Sequence, residues 1–187
     1  GPAATLTVNP VLAPTAAIVV APSSIYSGGQ ALATVTLTNP NSVALTGVGD
    51  SIAPPAGTSN VVALQAGTCN GVNSVSAGSF TLSGATLAAN ASCTIAYLIT
   101  SSTPGTYPVA SGTTSATGAS VAAAGPTTPL IVKPILAPTA TASLAPANII
   151  SGGQSLATVT LTNPNSVALT GVGDTIYAPF FTSFVNS

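Results

Sequence analysis

Apolar and polar residues alternate most cleanly in ALATVTLT, positions 31–38. Ala33, Val35 and Leu37 fall on one side of this stretch, and Thr34, Thr36 and Thr38 on the other. A period of two places every second side chain on the same face of an extended chain, so this pattern predicts a strand with one apolar and one hydroxylated face. Asn39-Pro40-Asn41-Ser42 ends it, because proline removes a backbone donor and asparagine favours tight turns. SCTIAYLIT (92–100) alternates in the same way, with Cys93, Ile95, Tyr97 and Ile99 opposite Thr94, Ala96, Leu98 and Thr100. Further strands are expected near 16–21, 43–48, 60–65, 79–83 and 105–110, with Gly or Pro in most of the gaps. No stretch has a helical period with caps. Seven or eight short strands in one unit predict an all-β fold, an antiparallel β-sandwich of immunoglobulin type.

The pattern then repeats. Gly28–Asp50 returns as Gly152–Asp174 with one change, Ser155 in place of Ala31. The offset of 124 residues holds without a gap from Gly1-Pro2, matched by Gly125-Pro126, through LAPTA at 12–16 and 136–140, giving 41 identities in the 63 aligned positions. Solenoid repeats run about 20 to 50 residues, so a period of this length marks a whole domain duplicated in tandem. The chain reads as a complete unit, 1–124, and the first half of a second, 125–187. Half a sandwich cannot close its own core. Residues 125–187 therefore continue beyond this sequence, are completed by strands of a neighbouring subunit, or pack on the first unit. After Asp174 the second copy diverges to TIYAPFFTSFVNS, which holds Phe180, Phe181 and Phe184, three of the four phenylalanines. An exposed aromatic segment is costly alone and useful inside a partner, which makes these three candidate subunit contacts; the plainer reading packs them on their own half domain.

Composition narrows the chemistry. Among 187 residues the charged side chains are Asp50, Asp174 and Lys133, and there is no His, Glu, Arg, Met or Trp. General acid–base catalysis works through His, Glu, Asp, Lys, Tyr or Cys set beside a partner that shifts the pKa. Zinc needs Cys and His clusters, and calcium needs several carboxylates. Nucleic acid needs cations to neutralise phosphates. None of these sets can be assembled here, so no enzyme activity, cofactor, metal or nucleic-acid partner is expected. Serine, threonine and alanine supply 22, 28 and 33 residues. The mean hydropathy of +0.63 invites a membrane reading, but the best apolar run, Ala16–Ala21 between Pro14 and Pro22, is strand length, whereas a spanning helix needs about 20 residues. The Gly1-Pro2 start without Met reads as mature or processed material. Charges normally keep surfaces apart and guard sheet edges; a chain almost without them is covered, for example by glycans, or built to associate.

Individual residues were weighed in the same way. Asp50 and Asp174 hold the same place in both copies and read as turn or strand-end residues, or as lone carboxylates for a ligand. Lys133 replaces Asn9 and is the one residue that could enter an isopeptide crosslink. Gly28-Gly29 lacks the lysine and helix of a phosphate loop and reads as a turn. Asn90-Ala91-Ser92 is the one N-glycosylation sequon, which makes Asn90 a possible glycan site. The two cysteines, Cys69 and Cys93, read as a structural disulfide, with a free thiol pair as the alternative; no histidine is present to activate either sulfur. Closing a loop of that size is worth about 3.5 kcal/mol in the chain-entropy treatment, and a disulfide places the protein outside a reducing cytosol.

APSSI, SGGQ, TVTLTNPNSVALTGV, the Cys69 segment, LSGATLAANASCT and GTY occur in this order. Together they resemble the immunoglobulin-like tandem repeat modules of large secreted bacterial surface proteins, a family of largely unknown function. The resemblance covers most of 17–110 and again 141–174. It departs at Gly49-Asp50, where an aromatic residue is common, and at Pro108, where asparagine is usual. It implies an extracellular β-sandwich with a Cys69–Cys93 bridge and no enzyme activity. With the missing charges and the half unit, the expected function is a structural subunit of an extracellular filament, sheath or surface layer, polymerising with itself head to tail through β-strand complementation. The alternative is a spacer repeat in a long adhesin stalk whose partner is a surface ligand.

Overall fold

The computed structural model describes residues 1–120, 124–178 and 182–185. Two compact units divide the chain, Gly1–Pro134 and Ile135–Ser187. Among the described residues every regular element is a strand, and the first unit is an antiparallel β-sandwich of immunoglobulin-like type.

One sheet holds β1 (Thr15–Ala21), β3 (Gln30–Thr38), β8 (Ser92–Thr100) and β5 (Ser59–Gly67), in the order β1-β3-β8-β5. The facing sheet runs β10-β4-β7-β6, made of β10 (Thr113–Ser115), β4 (Leu45–Ile52), β7 (Ser79–Leu87) and β6 (Val72–Ser76). A third sheet places β11 (Thr127–Lys133) between β2 (Ser24–Tyr26) and β9 (Gly105–Ala110). β11 runs antiparallel to β9 and parallel to β2.

The period-two pattern of the sequence is the reason these strands meet. The inward residues of β3, Ala31, Ala33, Val35 and Leu37, are all buried, and so are Cys93, Ile95, Tyr97 and Ile99 of β8. β3 and β8 pair with Val35 opposite Ile95 and Leu37 opposite Cys93, so the two apolar faces coincide. Val48, Ile52, Phe80, Leu82 and Leu87 close the core from the other sheet. Phe80 stacks on Tyr97 with ring centroids 5.4 Å apart. Side chains this size each contribute about 1.5–3 kcal/mol when fully buried. The two cysteines form the disulfide, with Cα atoms 4.9 Å apart, tying the end of β5 to the start of β8.

The Asn39-Pro40-Asn41 turn has a specific task. The buried Asn39 side chain donates from Nδ2 to the carbonyls of Val43, Ala88 and Leu87, at 2.8, 2.9 and 3.3 Å. Its Oδ1 accepts from the Asn41 backbone and side chain. Asn41 in turn clamps Leu12, donating to its carbonyl and accepting from its amide. The turn therefore fixes where the chain enters the sandwich. The Gly105-Thr106-Tyr107 motif works similarly: the Tyr107 hydroxyl donates to the Thr103 carbonyl at 2.8 Å, and a Cβ at Gly57 would press on the ring at 3.1 Å.

The second unit repeats the opening hairpin. β12 (Thr139–Ala145) and β13 (Leu156–Thr162) pair from Thr139↔Thr162 to Ala145↔Leu156. β1 and β3 pair from Thr15↔Thr38 to Ala21↔Leu32, the same register shifted by 124.

Candidate functional site

The feature that most constrains function is β11. By sequence it belongs to the second copy, since it lies after Gly125. By structure it closes the first unit. The structural boundary falls after Pro134, ten positions beyond the 124-residue period. In β11 the residues alternate, with Leu130 and Val132 buried at 0 % and 2 % and Ile131 and Lys133 on the outside. Leu130 and Val132 join Ile25 and Val109 in the main core. The ends of the strand are also fixed. The Ile131 amide donates to the Ser23 carbonyl and the Ser27 amide to the Lys133 carbonyl, both at 2.9 Å. Ahead of it, the Gly125 amide donates to Gly112 and the Ser111 amide to the Pro126 carbonyl, at 2.8 and 3.0 Å. A Cβ at Gly125 would meet Ser111 Oγ, which would have to turn away to admit it. Sequence reasoning did not pick this strand out. The signal was Leu-Ile-Val-Lys alternation just after Gly125-Pro126, masked because the repeat boundary was drawn ahead of it.

The second unit shows the same hairpin without its cover. Leu144, Leu156 and Leu161 are exposed, and so is Ile149, at 52 % against 6 % for its counterpart Ile25. The segment matching β2, residues 148–150, forms no strand. β2 pairs only with β11 in its sheet, so its strand geometry depends on that partner.

Of the residues singled out from sequence, Cys69 and Cys93 are joined. Asn90 lies exposed in the turn before β8 with φ of 55°, and its amide donates to the Asn41 carbonyl. Phe180 and Phe181 lie outside the described residues. Phe184 is 63 % exposed, and Lys133 is exposed at the end of β11.

Asp50 corrects an expectation. It is neither in a turn nor at a strand end, because β4 continues to Ile52 and puts Asp50 on the same inward face as Val48 and Ile52. Both carboxylate oxygens are buried without a hydrogen bond, and so is the Tyr97 hydroxyl. Burial pushes the Asp50 carboxyl up to about 7; the nearby Ser51 amide offsets only part of this, being out of hydrogen-bonding geometry. Burial, and then the neighbouring Asp50, raise Tyr97 well above its ordinary value. Asp174 lies exposed outside any strand or turn, and its Oδ1 accepts from the Thr175 amide at 2.9 Å. Two shallow depressions, one beside Leu12–Ala16 and Thr114 and one beside Asn9–Leu12 and Asn41–Val43, are lined by no ionisable side chain.

The fold and these surfaces define an all-β sandwich protein. No protein-family model matches the chain, and no curated protein matches it. Among solved structures, an inactive mutant of a GH20 exo-β-N-acetylglucosaminidase from Vibrio harveyi is similar over 72 % of this chain, at 17 % identity and a TM-score of 0.36. The match spans 20 % of that enzyme's chain. Nothing about activity follows from a likeness at that level. No helix among the described residues is long and apolar enough to cross a membrane.

Proposed function

We propose that the protein is a structural subunit of an extracellular filament, sheath or surface layer, whose units are joined by strands that cross from one repeat to the next. The observation that carries this reading is β11, which closes the first sandwich, while its counterpart one period earlier, residues 3–9, has Leu6 and Val8 exposed. A unit closed by its neighbour's strand transmits tension through a ladder of backbone hydrogen bonds, and repetition of the contact gives an open, head-to-tail array. The near-absence of charge supports it too, since like-charged repeats would repel along the array. The disulfide fits an oxidising, extracellular setting. The main partner is the protein itself, with glycans or a surface ligand as further partners.

The spacer of an adhesin stalk is the second reading. It is favoured by the fact that the two units follow one another in one polypeptide, which suits a continuous stalk. Electron microscopy of material isolated without denaturation separates them. Fibres with a regular axial repeat are expected for the subunit, and beaded threads of finite length for the stalk. A monodisperse monomer whose second unit is fully protected from hydrogen exchange would end the filament reading.

A further inference from the structure

We propose that Ala3–Asn9 is a second closing strand, which inserts between β2 and β9 of another copy of the unit whose own closing strand is absent or displaced, and takes there the place that β11 holds in this chain. The inference rests on the strand-linked reading above and names the segment and its acceptor.

The argument begins with the repeat. A shift of 124 residues lays Gly1–Pro10 on Gly125–Pro134 and Ala3–Asn9 on β11. The two residues that β11 buries, Leu130 and Val132, correspond to Leu6 and Val8, which are identical in type. In their own unit Leu6 and Val8 stand 87 % and 82 % exposed. The outward positions are more polar in the first copy: Thr7 for Ile131 and Asn9 for Lys133. Thr5-Leu6-Thr7-Val8-Asn9 therefore alternates more strictly than the strand already seen in the cleft, as a half-buried strand requires. Yet the segment forms no regular element in its own unit.

Gly1-Pro2 adds a second line. Gly125 packs closely on Ser111, whose Oγ a Cβ there would meet, and the Pro126 carbonyl accepts from the Ser111 amide. Gly1-Pro2 is the same pair one period earlier. The pair Gly-Pro fits the rim of an acceptor cleft that its own unit does not offer it.

The acceptor is sensitive to occupancy. Where β11 is docked, β2 is a strand and Ile25 is buried; in the second unit, where no such strand lies, residues 148–150 are not a strand and Ile149 is exposed. Two differences mark the donor. Thr5 supplies an amide where Pro129 has none, opposite Pro108. Ala4 lacks the hydroxyl through which Thr128 bonds the Ile18 carbonyl at 3.1 Å.

The test uses the full chain. Residues 125–134 are replaced by GPAATLTVNP, so that the N-terminal sequence must close the first unit. The melting temperature of that unit should stay within about 5 °C of the parent, while the same replacement carrying serine at the leucine and valine positions should lose about 10 °C or more. A transplant that melts as low as its serine version overturns the proposal. Insertion between copies is read with the double variant L130S/V132S, whose own closing strand is disabled, and a labelled peptide of residues 1–10. The peptide should bind and raise the variant's melting temperature by about 5 °C or more, whereas a peptide with L6S and V8S should do neither. No binding to a variant that remains folded overturns insertion between copies; if the variant does not fold, the transplant still decides whether the segment is a closing strand. Neither readout depends on fibres. A working transplant without fibres by microscopy would sink the filament reading alone, and fibres with a failed transplant would sink this proposal alone.

Discussion

Gly28–Asp50 and Gly152–Asp174 are almost the same sequence in two settings. In the first unit the stretch spans β3, the Asn39 turn and most of β4, and its inward side chains form the core. In the second unit the hairpin β12–β13 keeps its register, and the Asn163 turn keeps its local hydrogen bonds. The counterpart of β4, however, forms no strand, and the core face is bare. The difference separates what is local from what is not. The register of β12–β13 needs only the two strands and the connection between them, all within 139–162. β4 needs β7 and β10 beside it; residues matching those strands would lie past position 187.

The largest effect expected from this contrast is in the core. Leu37 is 0 % exposed and its counterpart Leu161 is 40 % exposed. Leu37→Ala should destabilise the first unit by about 2–5 kcal/mol, through lost transfer energy and the cavity left behind. Leu161→Ala should cost below about 1 kcal/mol in dilute solution. Thermal unfolding followed by circular dichroism measures both. Equal costs would mean that the second unit's face is covered in solution, which would break the contrast and identify that cover as an assembly contact.

The next effect is on pH dependence. Asp50 is buried with its carboxyl pushed up to about 7, whereas the unfolded chain should titrate at the ordinary carboxylate value near 3.9. The folded state thus holds a proton that the unfolded state has released. Stability is greatest below about pH 4, falls by up to about 1.4 kcal/mol per pH unit as pH rises towards 7, and levels off above that. Few groups can confuse the measurement, since the chain has no histidine or glutamate. Asp50→Asn should flatten the slope. A parent protein equally stable at pH 4 and pH 7 would show that Asp50 is solvated after all.

How far the sequence announced this structure depends on where each strand keeps its information. β3 and β8 carry their whole pattern in nine residues, and both were legible, as was β9 at 105–110. β4 was cut short at Val48 because Gly49-Asp50 resembles a turn; that hid the inward place of Asp50. β2 and β10 have three residues each and hold only through partners distant in the chain. β6, VNSVS, alternates in burial, but Val72 lies on the outer side and Asn73 on the inner, so its apolar residues do not follow that pattern. β11 carries the apolar run Leu130-Ile131-Val132 and lies just past the 124-residue step counted from Gly1, although it closes the unit before that step. The Cys69–Cys93 bridge followed from there being two cysteines. The closing strand needed the register.

The finest comparison concerns the two asparagine turns. Asn163 keeps the local set of its counterpart: Nδ2 donates to the Val167 carbonyl at 2.8 Å, and Oδ1 accepts from the Asn165 amide and side chain, both at 2.9 Å. Asn165 clamps Leu136 as Asn41 clamps Leu12. Asn39 adds donation to the Leu87 and Ala88 carbonyls at the end of β7. An amide nitrogen has two hydrogens, so three carbonyls share them, and the buried acceptors would be orphaned by removal of the side chain. Asn39→Ala should therefore cost about 1–3 kcal/mol, and Asn163→Ala only the exposed, local share, below about 1 kcal/mol. The difference between the two variants isolates what the link to β7 contributes, because the local bonds cancel. If both cost the same, the turn acts only within its own hairpin, and the burial of Asn39 follows from the fold without stabilising it. If Asn39→Ala costs more, the same Asn-Pro-Asn motif both ends a strand locally and, once the sandwich closes, fastens the two sheets together.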